Sequence, residues 1–203
     1  MLLNKSLISM MAFSILTACG NSEVSNIDLS QSISANQSAG IQSTSKEKQK
    51  KEFFVNELAS ILHNTWREAR RKADGTFEPR IKETKDQEWI AKNGKNQVDI
   101  ANTAYPLLPT DWQAENKASA EVATNLVFPA IEKNKAMDSK FIEDSSNKIH
   151  IAWLKRPNNS YAKGGPLDVA YSKLDEVEKE KDRVVIKEAI QLAKDLNLVK
   201  ASK

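Results

Sequence analysis

A single cysteine, Cys19, excludes any internal disulfide and leaves its thiol to be explained in some other way. The chain has only two histidines and no His-Glu-x-x-His, so the usual helical zinc site is excluded. None of its six glycines falls in a Gly-x-Ser-x-Gly elbow, a Walker A loop or a Gly-x-Gly-x-x-Gly turn. Serine-hydrolase and nucleotide-loop signatures are therefore absent, and no cofactor or metal is expected. Thirty Lys and Arg against 27 Asp and Glu give a formal charge of +3, far from the excess of a nucleic-acid binder, so no nucleic-acid partner is expected. No apolar run reaches the roughly 20 residues that cross a bilayer. The run from Leu7 to Leu16 is broken by Ser9 and Ser14.

That short run has another reading. Lys5 precedes it, and Leu16-Thr17-Ala18-Cys19-Gly20 follows it. A basic start, a short apolar stretch and small residues at a cleavage point are the parts of an export signal. An aliphatic residue, two small ones and then cysteine resemble the lipobox of bacterial lipoproteins. The resemblance implies a signal peptide over 1–18, cleavage before Cys19, and alkylation of its thiol by a lipid that carries palmitate-type chains. At about 0.8 kcal/mol per buried methylene, two or three such chains hold a protein to a membrane almost irreversibly. The expected location is the cell membrane or outer membrane, with the remaining chain facing the periplasm or exterior.

Residues 19–45 are dense in Ser, Asn, Gln and Ala and carry no aromatic. Such a composition buries too little apolar surface to offset ordering, which predicts a disordered tether. From Lys46 the pattern becomes helical, with Phe54, Leu58, Ile61, Leu62, Trp66 and Ala69 in register and Asp74-Gly75 as the stop. The spacing predicts a short helix from Asp86 to Asn93, closed by Gly94. A capping box at Thr110-Asp111-Trp112-Gln113 opens a helix with Trp112, Ala120, Ala123, Leu126 and Val127 on one side. Asp138 caps the next, which presents Phe141, Ile142, Ser145, Ile149, Ala152 and Trp153 inward until Pro157. A second box at Asp175-Glu176-Val177-Glu178 starts the last, with Val185, Ile186, Ala189, Ile190 and Ala193 inside. Residues 76–109 and 157–174 read as loops, the first long enough for a short hairpin.

The helical pattern occurs twice. Leu62-His63-Asn64-Thr65-Trp66 matches Ile149-His150-Ile151-Ala152-Trp153, and these are the only histidines. Asp99 precedes Tyr105 as Asp168 precedes Tyr171. Leu108 and Leu174 follow three residues after each tyrosine, and each leads into a capping box. Asn116-Lys117 then corresponds to Asp182-Arg183. The expectation is a mainly α domain over 46–203. Two helix-crossing-helix units, 46–136 and 137–203, would be related by a pseudo-twofold axis, with extra residues in the first crossing.

A His-x-x-Trp helix, a Tyr-containing corner and a capped helix bearing Glu-Lys-x-(Asp/Asn)-Arg resemble the repeat named after the ryanodine receptor. The fuller match is the second copy, through Ile149 to Trp153, Pro166 to Leu174 and Glu178 to Arg183. The first matches through His63, Trp66, Tyr105, Leu108, Asn116 and Lys117. In the receptor such repeats pair into one mostly helical unit, and the resemblance implies the same here. It bears on fold more than on function.

The candidate ligand-binding residues follow from the repeat: His63, Trp66, Tyr105, His150, Trp153 and Tyr171, together with Asn102 in the first crossing. Residues three apart share a helix face, so each histidine stands beside its tryptophan. Either the pairs line a symmetric pocket, or each imidazole donates to a loop carbonyl while its indole packs in the core; the second is the plainer reading. Asn102 either belongs to a site or bonds backbone groups in a turn. Arg67, Arg70, Arg71, Lys72, Arg80, Lys82 and Lys85 form a basic stretch that either faces solvent or meets an anionic ligand. No catalytic residue stands out. The expected function is a membrane-anchored binding or protein-interaction domain, its partner an envelope protein or a small anionic ligand. The competing class is an envelope enzyme cutting cell-wall glycan or peptide through an acidic residue. A desolvated acid in a cleft would favour the enzyme.

Overall fold

The computed structural model describes residues 29–156 and 164–199, with side chains from Ser45 onward. The expected signal peptide and Cys19 lie outside the described residues. The chain divides into two compact units, Met1–Gln42 and Ser43–Lys203, and the core and cavities described below belong to the second. It is mainly α. The helices are α1 (Leu29–Glu68), α2 (Gln87–Asn93), α3 (Thr110–Glu132), α4 (Ser139–Leu154) and α5 (Glu176–Asp195). The only paired strands among the described residues are β1 (Ile81–Glu83) and β2 (Gln97–Asp99), which flank α2. No helix among the described residues is long and apolar enough to cross a membrane.

α1 begins at Leu29, inside the stretch expected as a tether. That stretch has no proline to stop a helix from propagating backward out of the amphipathic segment. From Phe54 onward, α1 lays Phe54, Leu58 and Leu62 into the core. α3, α4 and α5 pack on one another. Alanines at 120, 123, 189 and 193 are fully buried, so the α3 and α5 backbones approach closely. Phe54 is also fully buried and meets the Phe128 ring edge-on at 5.1 Å, a favoured aromatic geometry. Two hydroxyls buried in the bundle bond their own helices, Thr124 to the Ala120 carbonyl and Ser146 to that of Ile142, both at 2.8 Å.

The predicted caps hold with one exception. Asp86, Asp138 and Asp175 each accept from the backbone N–H three residues on, at 2.8–2.9 Å, and open α2, α4 and α5. Gly94 closes α2 at φ 68°, a conformation open to glycine because it lacks Cβ. The exception is the box at Thr110. Pro109 stands at that N-cap and supplies no side-chain bond. Thr110 instead donates its N–H and hydroxyl to the Asp86 carboxylate, both at 2.8 Å. The first helix also stops earlier than Asp74-Gly75, at Glu68. Gly75, at φ 82°, turns the chain after it and allows Arg71 to pair with Phe77.

The expected hairpin in the first crossing is present and carries α2 between its strands, with Ile81 opposite Asp99 and Glu83 opposite Gln97. The start of α3 fixes it. Asp111 accepts from Thr84 Oγ1 and from the Lys85 N–H, both at 2.8 Å, and the Trp112 indole donates to the Glu83 carbonyl at 3.0 Å. This anchoring decides where the hairpin's cations stand.

Candidate functional site

Around the two histidines the local geometry repeats. His63 Nε2 lies 2.9 Å from the Thr103 carbonyl, and His150 Nε2 lies 2.9 Å from that of Val169. A carbonyl oxygen only accepts, so in both rings Nε2 carries the hydrogen. Each imidazole stacks on the tryptophan three residues on, at 5.9 Å in both cases, with interplanar angles of 27° and 24°. Each also leans on the tyrosine of its own crossing at 6.2 Å. Both tyrosines open a single 3-10 turn, closed by Leu108 or Leu174 bonding back to the tyrosine carbonyl at 3.1 Å. The histidines are therefore crossing anchors, each tying a helix end to a loop.

The six repeated residues do not all line one cavity, and each imidazole meets a loop carbonyl, as in the plainer of the two sequence readings. Both histidines and both tyrosines are buried, because each ring is used inside its own unit. The two indoles are half-buried, and they converge. Trp66 and Trp153 line a common cleft of about 480 Å³ together with His63, Trp112 and, from the first crossing, Arg80 and Lys82. His150, Tyr105 and Tyr171 are not among its lining residues. Tyr105 opens instead on a second cavity, and Tyr171 donates to Glu143 at 3.0 Å.

Asn102 is a brace. Its amide spans Phe77, accepting from that N–H at 3.1 Å and donating to that carbonyl at 3.0 Å, and it also donates to Asp99 at 2.8 Å. The sequence left this position open between site and turn, and its bonds place it in the turn.

The basic stretch is dispersed. Arg67 and Arg71 lie over the Phe77 ring at 4.2 and 4.6 Å, and Arg70 lies over Trp66 at 4.2 Å while donating to its carbonyl. Lys82 sits 5.9 Å from the centre of the Trp112 ring. Only Arg80 and Lys82 of this stretch reach the cleft. The sequence placed Arg80 and Lys82 only within a longer basic stretch, and Trp112 only on a helix stripe, without joining the three to the histidine-tryptophan pairs. Their joint placement depends on the hairpin register and the Trp112–Glu83 bond, which leave no periodic signal.

Glu115 is the one acid among the described lining residues. Arg156 holds it at 2.9 Å and also donates to Ser119 at 2.7 Å. Arg80 and Lys82 bring two basic side chains to the same cleft. Burial lowers the proton affinity of His63 below the ordinary histidine value, the Thr103 carbonyl opposes this, and Arg67 adds to the lowering. His63 is thus a neutral imidazole whose unprotonated Nδ1 accepts hydrogen bonds. The carboxyl pushed upward, Asp182, is bound to His150 and is not part of the cleft. Among the described residues no three His, Cys, Asp or Glu side chains come together to hold a metal. The cleft thus presents indole faces, two basic side chains and the His63 acceptor together.

No family model, curated protein or solved structure matches the chain.

Proposed function

We propose that residues 46–203 form a non-catalytic binding module, and that its cleft takes a small anionic ligand with a flat or apolar body. One observation carries the reading. A single cavity of about 480 Å³ gathers Trp66 and Trp153 around Arg80 and Lys82, while its one acid is matched by Arg156. Convergent polar groups in a mostly apolar concavity are the usual form of a small-molecule site. The apolar walls exclude water from the ligand body, and the cations supply the charge match.

The repeat of the histidine, tryptophan and tyrosine geometry supports the likeness to a pair of ryanodine-receptor-type units about a pseudo-twofold axis. The lipobox at Leu16 to Cys19 supports presentation of this module from a membrane, through lipid on Cys19, toward the periplasm or exterior. The competing enzyme reading needs a free, desolvated acid in the cleft, and Glu115 is half-exposed and paired.

The test is a thermal-shift screen of the purified protein against muropeptides, nucleotides, inorganic anions, divalent metals and anionic lipid headgroups. A ligand at 100 times its dissociation constant adds about 2.7 kcal/mol, enough to raise the melting midpoint by several degrees. The shift should disappear in Arg80→Ala and Trp153→Ala while both variants still melt cooperatively. A ligand shift that survives both substitutions moves binding out of the cleft. No shift across the panel refutes a small-anion site and leaves an envelope protein as the partner.

A further inference from the structure

The second unit contains an internal carboxylate clamp. Arg183 on α5 pairs with Glu143 from α4, with Glu176 at 2.8 Å and with Glu180 at 3.6 Å. Tyr171 completes it by donating its hydroxyl to Glu143 at 3.0 Å. A carboxylate held between a phenol and a guanidinium is bound by two strong donors, one of them charged.

Counting from the repeated histidine and tyrosine finds the same positions in the first unit. Arg183 becomes Lys117 and Tyr171 becomes Tyr105. All three acids are replaced: Glu143 by Asn56, Glu176 by Thr110 and Glu180 by Ala114. Every one of these five residues lines a single cavity of about 510 Å³. Lys117 makes no ion pair among the described residues, and the Tyr105 hydroxyl has no hydrogen-bond partner among them, although the residue is only 9% exposed. The donors of the clamp remain and its acceptors are gone.

We infer that this cavity is a carboxylate-binding site, in which a ligand carboxylate sits between Tyr105 and Lys117 as Glu143 sits between Tyr171 and Arg183. One acid, Glu57, also lines the cavity. Its counterpart in the second unit is Asp144, which is equally acidic and stands beside an occupied clamp, so a charge at this position is compatible with a bound carboxylate. Thr110 contributes little, since its hydroxyl is already given to Asp86. The site is separate from the tryptophan cleft and does not depend on what that cleft binds.

The experiment is a titration of the purified chain with succinate, followed by calorimetry and by amide and tyrosine NMR shifts. The expected result is saturable binding that moves the resonances of Tyr105 and Lys117. Asn56→Glu refills the site from within and should weaken succinate at least tenfold while raising the melting midpoint; Asn56 is exposed, so the fold tolerates the change. Lys117→Arg should retain binding, whereas Lys117→Ala and Tyr105→Phe should lose it. An acidic hexapeptide run in parallel separates the sources. Tighter binding of succinate assigns a free organic acid, and tighter binding of the peptide assigns the acidic side chains of a protein. Absence of saturable binding by either probe overturns the inference. So does an Asn56→Glu variant that binds like the parent, or inorganic phosphate that binds as tightly as succinate.

Discussion

Asp182 offers a direct test of how the bundle handles a buried charge. His150 Nε2 gives its hydrogen to the Val169 carbonyl, so Nδ1 faces Asp182 Oδ2, 3.4 Å away, as the second ring nitrogen. That contact is attractive only while a proton lies between the two atoms. Burial pushes the Asp182 carboxyl up from 3.8 to about 6; His150 opposes the rise and neighbouring Glu178 adds to it. A folded value above the unfolded one means that the native state binds more protons in that interval. The resulting stability is fully present below 3.8 and is lost as the pH rises through about 6. At ~1.4 kcal/mol per pH unit the interval corresponds to on the order of 3 kcal/mol, an upper bound because His150 shares the proton. For a domain of this size that is a melting shift of roughly 6–12 °C. Asp182→Asn has no charge to bury, and its amide donates to Nδ1 at any pH. The assay is urea unfolding followed by far-UV circular dichroism, in half-unit steps from pH 4.5 to 7.5. The quantity of interest is the difference between variant and parent. Asp86 and Glu143, whose carboxyls are held low by donors from Thr110 and Arg183 respectively, lose stability as pH falls and are common to both proteins. The variant should gain on the parent as the pH rises through about 6, level off above it, and be the more stable at pH 7.5. A constant difference, or a variant that is less stable at pH 7.5, refutes the reasoning.

Three further outcomes follow from packing, backbone geometry and the N-terminal motif. Phe54→Ala removes a fully buried ring and its edge-to-face partner, and should cost about 3–5 kcal/mol in chemical denaturation; a loss below about 1 kcal/mol would mean that the core collapses into the space. Gly94→Ala meets nothing within 4 Å, so its penalty is the left-handed backbone alone, roughly 1–2 kcal/mol, and Asn in its place should recover part of it. Cys19→Ser should abolish incorporation of labelled palmitate and release the protein into the aqueous phase of a detergent partition. Labelling that persists in that variant would rule out a thioether-linked lipid on Cys19.

Periodicity made the helices legible. Each of α1, α3, α4 and α5 is a run of apolar residues at helical spacing. Three aspartates and Gly94 mark boundaries because their chemistry is local to the turn they close. Thr110 shows the limit of such reasoning: a capping sequence is a competition among donors, and the Asp86 carboxylate, 24 residues away, takes the hydroxyl that would have capped α3. The motif spacing put each histidine beside its tryptophan, and the rings stack at 5.9 Å in both places. It did not show that the tyrosines and histidines are consumed internally while the indoles face a shared cleft. Nor did it show that Arg80 and Lys82 join them, since a three-residue strand with exposed, half-buried and exposed positions carries almost no pattern.

The two units differ most in where they keep their acids. The second holds Glu143, Glu176, Glu180 and Asp182 against Arg183 and His150, so its polar groups satisfy one another within the fold. The first has Asn56, Thr110, Ala114 and Asn116 at the same counted positions and keeps Lys117 and His63. Both cavities border these exchanged positions, Asn116 in the tryptophan cleft and the other three in the second cavity. A half-buried cation that makes no ion pair holds an unfulfilled preference for an anion, and a self-paired one does not. On the inference above, the cavity that lacks these acids takes its carboxylate from outside, where Arg183 and Tyr171 are supplied with one by Glu143. On this argument, restoring a single acid at Asn56 should move the first unit toward the second in both respects, gaining stability and losing affinity together. A variant that changed only one of the two would separate the cavity from the clamp it is derived from.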